Sequence, residues 1–488
     1  MEHFFLKKSA NHLFTYSYIC NKSIIIYNFL TMTKQDLVRQ ADSTLLSLLQ
    51  QKNIYPPEWA SLLKEYDSRF HPVNDKSIRP DKIKKDNRIE KVSRIHLDIE
   101  KLITTRMVEF MFAIPVNRYY YNIDDDEDKI AIRKAIELVY KTTRINTENL
   151  ERAKLLLTSC EVATLWYAAD QPTSVYGFES QKKLKCKTFS PMNGYELYPI
   201  FDEYDNMIAM SIKWTAKHSS ENDTFFETYT DNRHIRWKNN ELEIDEPNTL
   251  GKIPIVYSYR PKPIWDGIQH LINELEFTLS RNSDVIAYNA SPVLAITGKI
   301  IGNDNKDSSQ KVYKFENGGG VQYVTWTQAI EAIKYHVETL FRLIWQRVQL
   351  PDLSFENIKG MGAVSGEARK TLLTDAHLKV GDEQGAFIEY FEREANIIKA
   401  YLKKLNPAWS NKVDEIEIEH IITPFIQNDE ANVITRYINA NGGKPLVSWK
   451  ESIELAGLSS DADQTFEQLQ QEQAQEQATK MSGLFESE

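Results

Sequence analysis

"IWDGIQHLINELEFTLSRNSDVIAYN", residues 264–289, sets Trp265, Ile268, Ile272, Leu275, Leu279 and Ile286 along one side of a helix. Its length of about 25 residues corresponds to ~38 Å at 1.5 Å per residue. The segment immediately downstream decides the architecture. Residues 290–327 contain "PVLAITGKI", a polar loop, "KVYKFE", "NGGG" and "VQYVTW". These read as short strands, the last two joined by a glycine turn into a hairpin. A second long helix then begins, with Ile330, Ile333, Val337, Leu340, Phe341, Ile344 and Val348 recurring at spacings of three and four until Pro351 stops it. Two long helices bracketing a small insert predict an antiparallel pair with a β module at its tip. A globular enzyme has little use for such a projection, whereas an assembly subunit does.

Upstream, the pattern is helical from about Thr33 to Trp59, where "YPPEW" ends it. "NRIEKVSRIHLDIEKLITTRMVEFMFAIPV" (87–116) places Ile89, Val92, Ile95, Ile99, Leu102 and Ile103 on one face, which predicts an amphipathic helix that stops at Pro115. "DDDEDK" (124–129) lacks the glycine and the spaced ligands of a calcium loop. It reads instead as first-turn carboxylates facing the positive end of the next helix. Helices through "LERAKLLLTSCEVATLWYAAD" (150–170) complete an α-rich first part. Residues 184–258 change character: "FSPMNGYELYPIFDEYDNMIAMSIKW" and "TFFETYTDNRHIRWKNNELEI" alternate apolar and polar residues around Asn/Asp turns, predicting antiparallel strands. Asp202, Glu203 and Asp205 sit between two of these strands, where a turn needs such residues, and are read as a turn rather than a catalytic cluster.

Downstream of the second long helix lies "PDLSFENIKGMGAVSGEARKTLL" (351–373). A phosphate-binding loop of the G-x-x-x-x-G-K-[ST] type follows a buried strand. Here a helix and Pro351 come first, and Glu367 follows Gly366 where lysine is required. The dinucleotide pattern fails as well, because Gly366 comes one position too late. The loop is better read as flexible and small-residue, with Ser365 capping a helix that opens "GEARKTLL" and runs to about Leu405. Gly381 and Gly385 weaken that helix midway and predict a kink.

The chain has 488 residues, 42% hydrophobic and 26% charged, and a formal net charge of −10. That acidity argues against a protein that coats nucleic acid through a basic surface, but not against one that lets it pass. Residues 425–488 hold 11 acidic and 4 basic side chains, seven of the ten net negative charges. Cys20, Cys160 and Cys186 lack metal-type spacing and read as reduced thiols in a cytosolic setting. The apolar stretch "LFTYSYICNKSIIIYNFLTM" (13–32) invites a membrane or signal reading. Asn21, Lys22 and Ser23 interrupt it, and a non-structural extension upstream of a start at Met32 fits better. No nucleophile motif, metal-ligand spacing or working phosphate loop argues for an enzyme, and the catalytic, cofactor and metal sites are expected to be none. His377 on its helix and His420 in a strand read as packed or exposed rather than catalytic. The Gln/Glu-rich "EQLQQEQAQEQATK" (467–480) would suit a scaffold or tether, but a scaffold has no need of the β-rich middle.

In its order of segments the chain, from about residue 35 to 478, resembles the portal proteins of tailed bacteriophages, of the siphovirus type. The pieces that carry the likeness are "NRIEKVSRIHLDIEKLITTRMVEFMFAIPV", "FSPMNGYELYPIFDEYDN", "GKIPIVYSYRPKPIWDGIQHLINELEFTLSRNSDVIAYNASPVLAITG", "PDLSFENIKGMGAVSGEARKTLL" and "GGKPLVSWKESIELAG…DQTFEQLQQE". Arg369 precedes Lys370 where the family usually shows leucine before lysine, and the first 31 residues have no counterpart. The resemblance implies an α+β portal fold, assembled as a ring of typically twelve subunits at one capsid vertex of the virion, through which double-stranded DNA is packaged and ejected. It implies an N-terminal extension (1–34), a wing (35–262), a two-helix stem (263–289 and 328–350) and a small β-containing clip (290–327). A tunnel loop (351–365), a kinked long helix with a returning wing strand (366–424) and a helical crown with an acidic tail (425–488) complete it. Implied partners are further copies of the chain, the terminase large subunit, a head-completion or adaptor protein, and the major capsid and scaffolding proteins. No cofactor and no membrane are implied, and assembly takes place in the host cytoplasm. Lys359, Gly360, Met361, Gly362, Ala363, Gly366, Arg369 and Lys370 are the expected DNA-facing residues, with Lys334 and Arg342 as further basic residues of the channel.

Overall fold

The structure is a computed structural model. It describes residues 37, 40–52, 54–123, 126–217, 222–289, 293–298, 300–307, 310–315, 320–324, 330–352, 373–425, 437–441, 447–456, 459 and 462–485. The chain divides into two units, one of residues 1–351 and 375–425, the other of 352–374 and 426–488. Helix and strand are mixed throughout the first unit, and none of the sheets among the described residues closes into a barrel.

The first unit opens with α1 (Ser43–Leu49), whose N-cap Asp42 accepts from the backbone amides of Thr44 and Leu45. The helix expected across 33–59 is interrupted: α2 (Trp59–Tyr66) begins at the tryptophan that was read as an end. Pro56 and Pro57 supply no backbone donor, a lack that is tolerated ahead of a helix and not within one. The expected helix over 87–116 is also shorter. β1 (Lys82–Ile83) and β2 (Ile89–Glu90) form a hairpin, residues 91–98 are neither helix nor strand, and only α3 (Ile99–Phe112) is helical. Ile103, Met107 and Met111 of α3 are fully buried.

β3 (Asn117–Tyr121) precedes α4 (Glu127–Thr142), capped by Asp126 through the amides of Asp128 and Lys129, so the first-turn carboxylates act as expected. α5 (Ile145–Ser159) stops at Cys160, whose φ of 63° is left-handed. "EVATLWYAAD", expected to continue the helices, is instead β4 (Glu161–Thr173). The apolar run is short, and the left-handed residue breaks the helix before it.

β4 lies between β5 (Ser180–Phe189) and, later in the chain, β11 (Ile255–Tyr259). A five-stranded meander is built from β6 (Glu196–Phe201), β7 (Met207–Lys217), β8 (Asn222–Thr230), β9 (Arg233–Lys238) and β10 (Glu241–Pro247). It feeds two cores. Ile200, Ile208, Phe226, Ile235 and Trp237 pack with Leu45, Leu46 and Leu49 of α1. Leu197, Met210 and Ile212 pack with Ala163, Phe189, Ile255 and Tyr257 of the three-stranded sheet. The Asp202 carboxylate accepts from the amides of Tyr204 and Asn206, and Asp205 has a φ of 59°, so this acidic group is a turn between β6 and β7.

Next come α6 (Gln269–Asn289), a module of β12 (Val293–Thr297), β13 (Ile300–Asp307), β14 (Gln310–Phe315) and β15 (Gly320–Val324), and α7 (Ile330–Val348). The hairpin expected between the last two strands is not formed. β14 pairs with β13 and β15 pairs with β12, one hairpin nested within the other, and the stretch read as a polar loop is β13 itself. α8 (Thr374–Leu405) is unbroken through Gly381 and Gly385, and β16 (Glu417–Ile421) returns to pair with β3. In the second unit, α9 (Trp449–Ala456) meets α10 (Ala462–Phe485) through an edge-on contact of Trp449 with Phe466.

Candidate functional site

α6 and α7 form a helix pair that carries the β module. Arg347 of α7 lies beside Gly267, just ahead of α6, and His336 of α7 lies beside Glu274 of α6. These numbers run in opposite senses, so the helices are antiparallel. Leu340, Ile344, Trp345 and Val348 bury the lower half of α7, while Ile272 and Leu275 do the same for α6. Toward the module large apolar side chains are left exposed: Ile286 is 57% and Tyr335 69% exposed.

Lys334 and Arg342 both stand exposed on α7. Eight residues apart, they are separated by ~12 Å along the axis and face the same half of the helix. Lys334 lies 3.9 Å from Glu338, one turn on. The expected DNA-facing residues Lys359, Gly360, Met361, Gly362, Ala363, Gly366, Arg369 and Lys370 lie outside the described residues.

Along its length, α6 is fastened by polar contacts that the sequence reading missed. Residues 93–97 run antiparallel along the helix. The amide of Ser93 donates to Asp284 Oδ1 (2.7 Å), that of Ile95 to Ser280 Oγ (2.8 Å) and that of Leu97 to Glu276 Oε1 (2.7 Å). Two residues of extended chain advance ~6.6 Å and four residues of helix ~6.0 Å, so alternate amides meet every fourth side chain. This is why 91–98 is not helical: its donors are taken by α6. The readable signal was Glu276, Ser280 and Asp284 at intervals of four beside the apolar stripe.

His71 completes the clamp. It is fully buried, with Nδ1 2.8 Å from Glu276 Oε1 and Nε2 2.6 Å from the Glu65 carbonyl. Both neighbours are acceptors, so both ring nitrogens donate and the imidazole is charged. Burial by itself would depress the His71 pKa. The hydrogen bonds to Glu276 and Glu65 and the charges of Glu100 and Glu276 outweigh it and hold the value at about 9. Burial pushes the neighbouring Glu100 carboxyl up to about 7, only partly offset by His71.

Elsewhere in the unit, a cavity of about 420 Å³ is lined by Asp205, Asp231, Lys252, Arg393 and Asn396 among others. None of its lining residues is a serine, cysteine or histidine. The Cys160 and Cys186 thiols are pushed up to about 12 by burial, which leaves them poor nucleophiles. Among the described residues no group of His, Cys, Asp and Glu could hold a metal ion, and no helix is long and apolar enough to cross a membrane.

The fold mixes helix and strand and carries a β module between two long helices. Residues 51–479 match the family model described as "Phage portal protein, SPP1 Gp6-like", and the chain belongs to that family of phage portal proteins. Comparison with curated proteins returned no match. Among solved structures, the chain is similar to a protein in the neck of the native gene transfer agent particle computed with C12 symmetry. The two share 12% identity and a TM-score of 0.40, over 83% of this chain and 95% of that one. A chain in the virion of the native gene transfer agent particle is 11% identical at a TM-score of 0.39, over 85% and 98%. One in the neck of the empty particle computed with C6 symmetry is 12% identical at 0.37, over 83% and 95%.

Proposed function

We propose that copies of this chain close into a ring, of twelve subunits as the family resemblance implies, at one vertex of a phage capsid. The ring is the conduit through which double-stranded DNA is packaged and later ejected. The observation that carries this reading is the antiparallel pair α6–α7 with its β module, in a chain matched to the portal family over residues 51–479. In this reading α6 and α7 are the stem, and the module (290–327) is the clip that meets the terminase motor and then the head-completion protein. Residues 35–262 are the wing, 351–365 the tunnel loop, 366–424 the long helix and returning strand, and 425–488 the crown.

Physical chemistry supports the reading at two points. Ile286 and Tyr335 remain exposed at the far end of the helix pair, and a closed head-to-tail ring supplies identical neighbours to cover such surfaces. A chain of net charge −10 makes few of the counterion-releasing phosphate contacts that would grip DNA, so the duplex slides. Gly360, Met361, Gly362, Ala363 and Gly366 give the loop small side chains and a pliant backbone, and Lys359, Arg369, Lys370, Lys334 and Arg342 offer brief phosphate contacts. The chain itself performs no catalysis in this role.

Negative-stain class averages and native mass of the purified protein test the proposal. Annuli with a central hole are expected. Rods or elongated dimers would favour a scaffold, and steady hydrolysis of ATP or DNA by the pure chain would favour an enzyme.

A further inference from the structure

The β1–β2 hairpin is exposed along its whole length among the described residues. Every residue from 82 to 91 is exposed. Ile83 and Ile89 face each other across the strands, 76% and 70% exposed. Strands this short do not hold together in water unaided. The neck, by contrast, is riveted. Arg79 pairs with Asp284 of α6 at 2.6 Å and donates to the Ser93 carbonyl, while Arg94 pairs with Asp81 at 2.9 Å and donates to the Arg79 carbonyl. The hairpin is therefore held out from the body. One side carries the isoleucine pair, and the other carries Lys82, Lys84, Arg88 and Glu90. Residues 82–91 hold five cations and two carboxylates in a chain that is acidic as a whole.

A complementary surface exists on the same unit. The outward face of the β3–β16 sheet presents Tyr119 (44% exposed), Tyr121 (47%) and Ile421 (39%), with the exposed carboxylates of Glu417 and Glu419 set among them. The Tyr121 hydroxyl donates to Glu419 at 2.5 Å, and Glu417 feels the charge of Lys399 from within the same unit. Aromatic rings beside exposed carboxylates suit an aliphatic pair flanked by lysines, through burial, charge and cation–π contact. The two surfaces attach at opposite ends of α3, whose 14 residues span ~21 Å. A head-to-tail contact requires two different, complementary patches on one protomer.

We propose that the β1–β2 hairpin of one copy docks on the β3–β16 face of the next copy, so that its partner is a second molecule of this chain. The inference rests on the ring reading above. The test compares full-length wild type with Lys82→Glu/Lys85→Glu, with Glu417→Lys/Glu419→Lys, and with all four changes together, by native mass and sedimentation at fixed salt. Each pair alone is expected to lower the assembled fraction about tenfold with an unchanged protomer melting temperature, and the combination to restore it to within about twofold. An Ile83→Cys/Tyr119→Cys chain should yield covalent multimers on oxidation that wild type does not. Wild-type rings together with unimpaired charge-reversed chains, or a combination no better than its parts, would overturn the docking while leaving the ring intact. Loss of DNA retention in Lys82→Glu/Lys85→Glu with normal assembly would overturn it in favour of DNA as the occupant. A wild type that stays monomeric would defeat ring and docking alike.

Discussion

Two buried ionic groups set what single residues do here. Folding raises the His71 pKa from 6.5 to about 9, so its stabilisation is complete below pH 6.5 and is lost as the pH climbs through 9. Glu100, raised from 4.5 to about 7, acts with the same sign: its burial costs nothing below pH 4.5 and its full penalty is felt above 7. His420 opposes both. Burial and the nearby Arg118 lower its pKa to about 4, so its contribution disappears as the pH falls from 6.5 through 4. Between about pH 4.5 and 6.5 the Glu100 and His420 effects cancel, so urea midpoints should stay level there and decline from pH ~6.5 toward pH ~9. His71→Phe should flatten the alkaline limb by roughly 3 kcal/mol, and an unchanged limb would refute the charged clamp. The second group joins Arg152 to Glu394 at 2.7 Å, both 1% exposed, with the Trp166 indole N–H also donating to Glu394. Glu394→Ala leaves a buried guanidinium uncompensated and should cost about 3–5 kcal/mol in denaturant unfolding, whereas Arg152→Met/Glu394→Leu should cost far less. Neither partnership was legible beforehand, because 242 positions separate Arg152 from Glu394 and nothing in the local pattern links them.

Elements were read well where one period ran unopposed. α6 and α7 were found from their apolar stripes, and the β6–β7 turn from Asp202 and Asp205. The reading failed where a tertiary partner overrode the period. Ile89, Val92 and Ile95 mimic a helical face, yet the donors of 93–97 are claimed by α6, and Ile89 belongs to a hairpin. Residues 161–170 come after a helix without punctuation in the sequence, since no glycine or proline announces the left-handed Cys160. In the module, the glycines after β14 suggested a hairpin between sequence neighbours, but β15 finds β12. That nesting has a consequence. Val293 sits across from Val324, so the module enters and leaves at one place. Replacing 290–327 by a short Gly/Ser link should leave the helix pair and the rings intact while abolishing co-sedimentation with the packaging motor. Loss of rings in that deletion would contradict the proposed order of stem and clip.

For the whole molecule, charge and small residues make a prediction at the channel. If 351–365 is the tunnel loop as proposed, Gly360→Trp/Gly362→Trp should reduce packaged DNA per particle by at least about tenfold with ring yield unchanged, because bulk is then added beside the duplex alone. Normal packaging would remove the loop from the channel wall. The chain by itself determined its class: helix, β-rich middle, helix–module–helix and acidic C-terminal segment stand in an order set by local periodicity and turn chemistry, which act over a few residues. Only the tertiary structure decided that 93–97 lies along α6, that His71 is charged between Glu276 and the Glu65 carbonyl, and that β3 finds β16 far downstream in the chain. Those pairings depend on which distant groups share a low-dielectric interior, and burial is a property of the assembled chain rather than of any stretch within it.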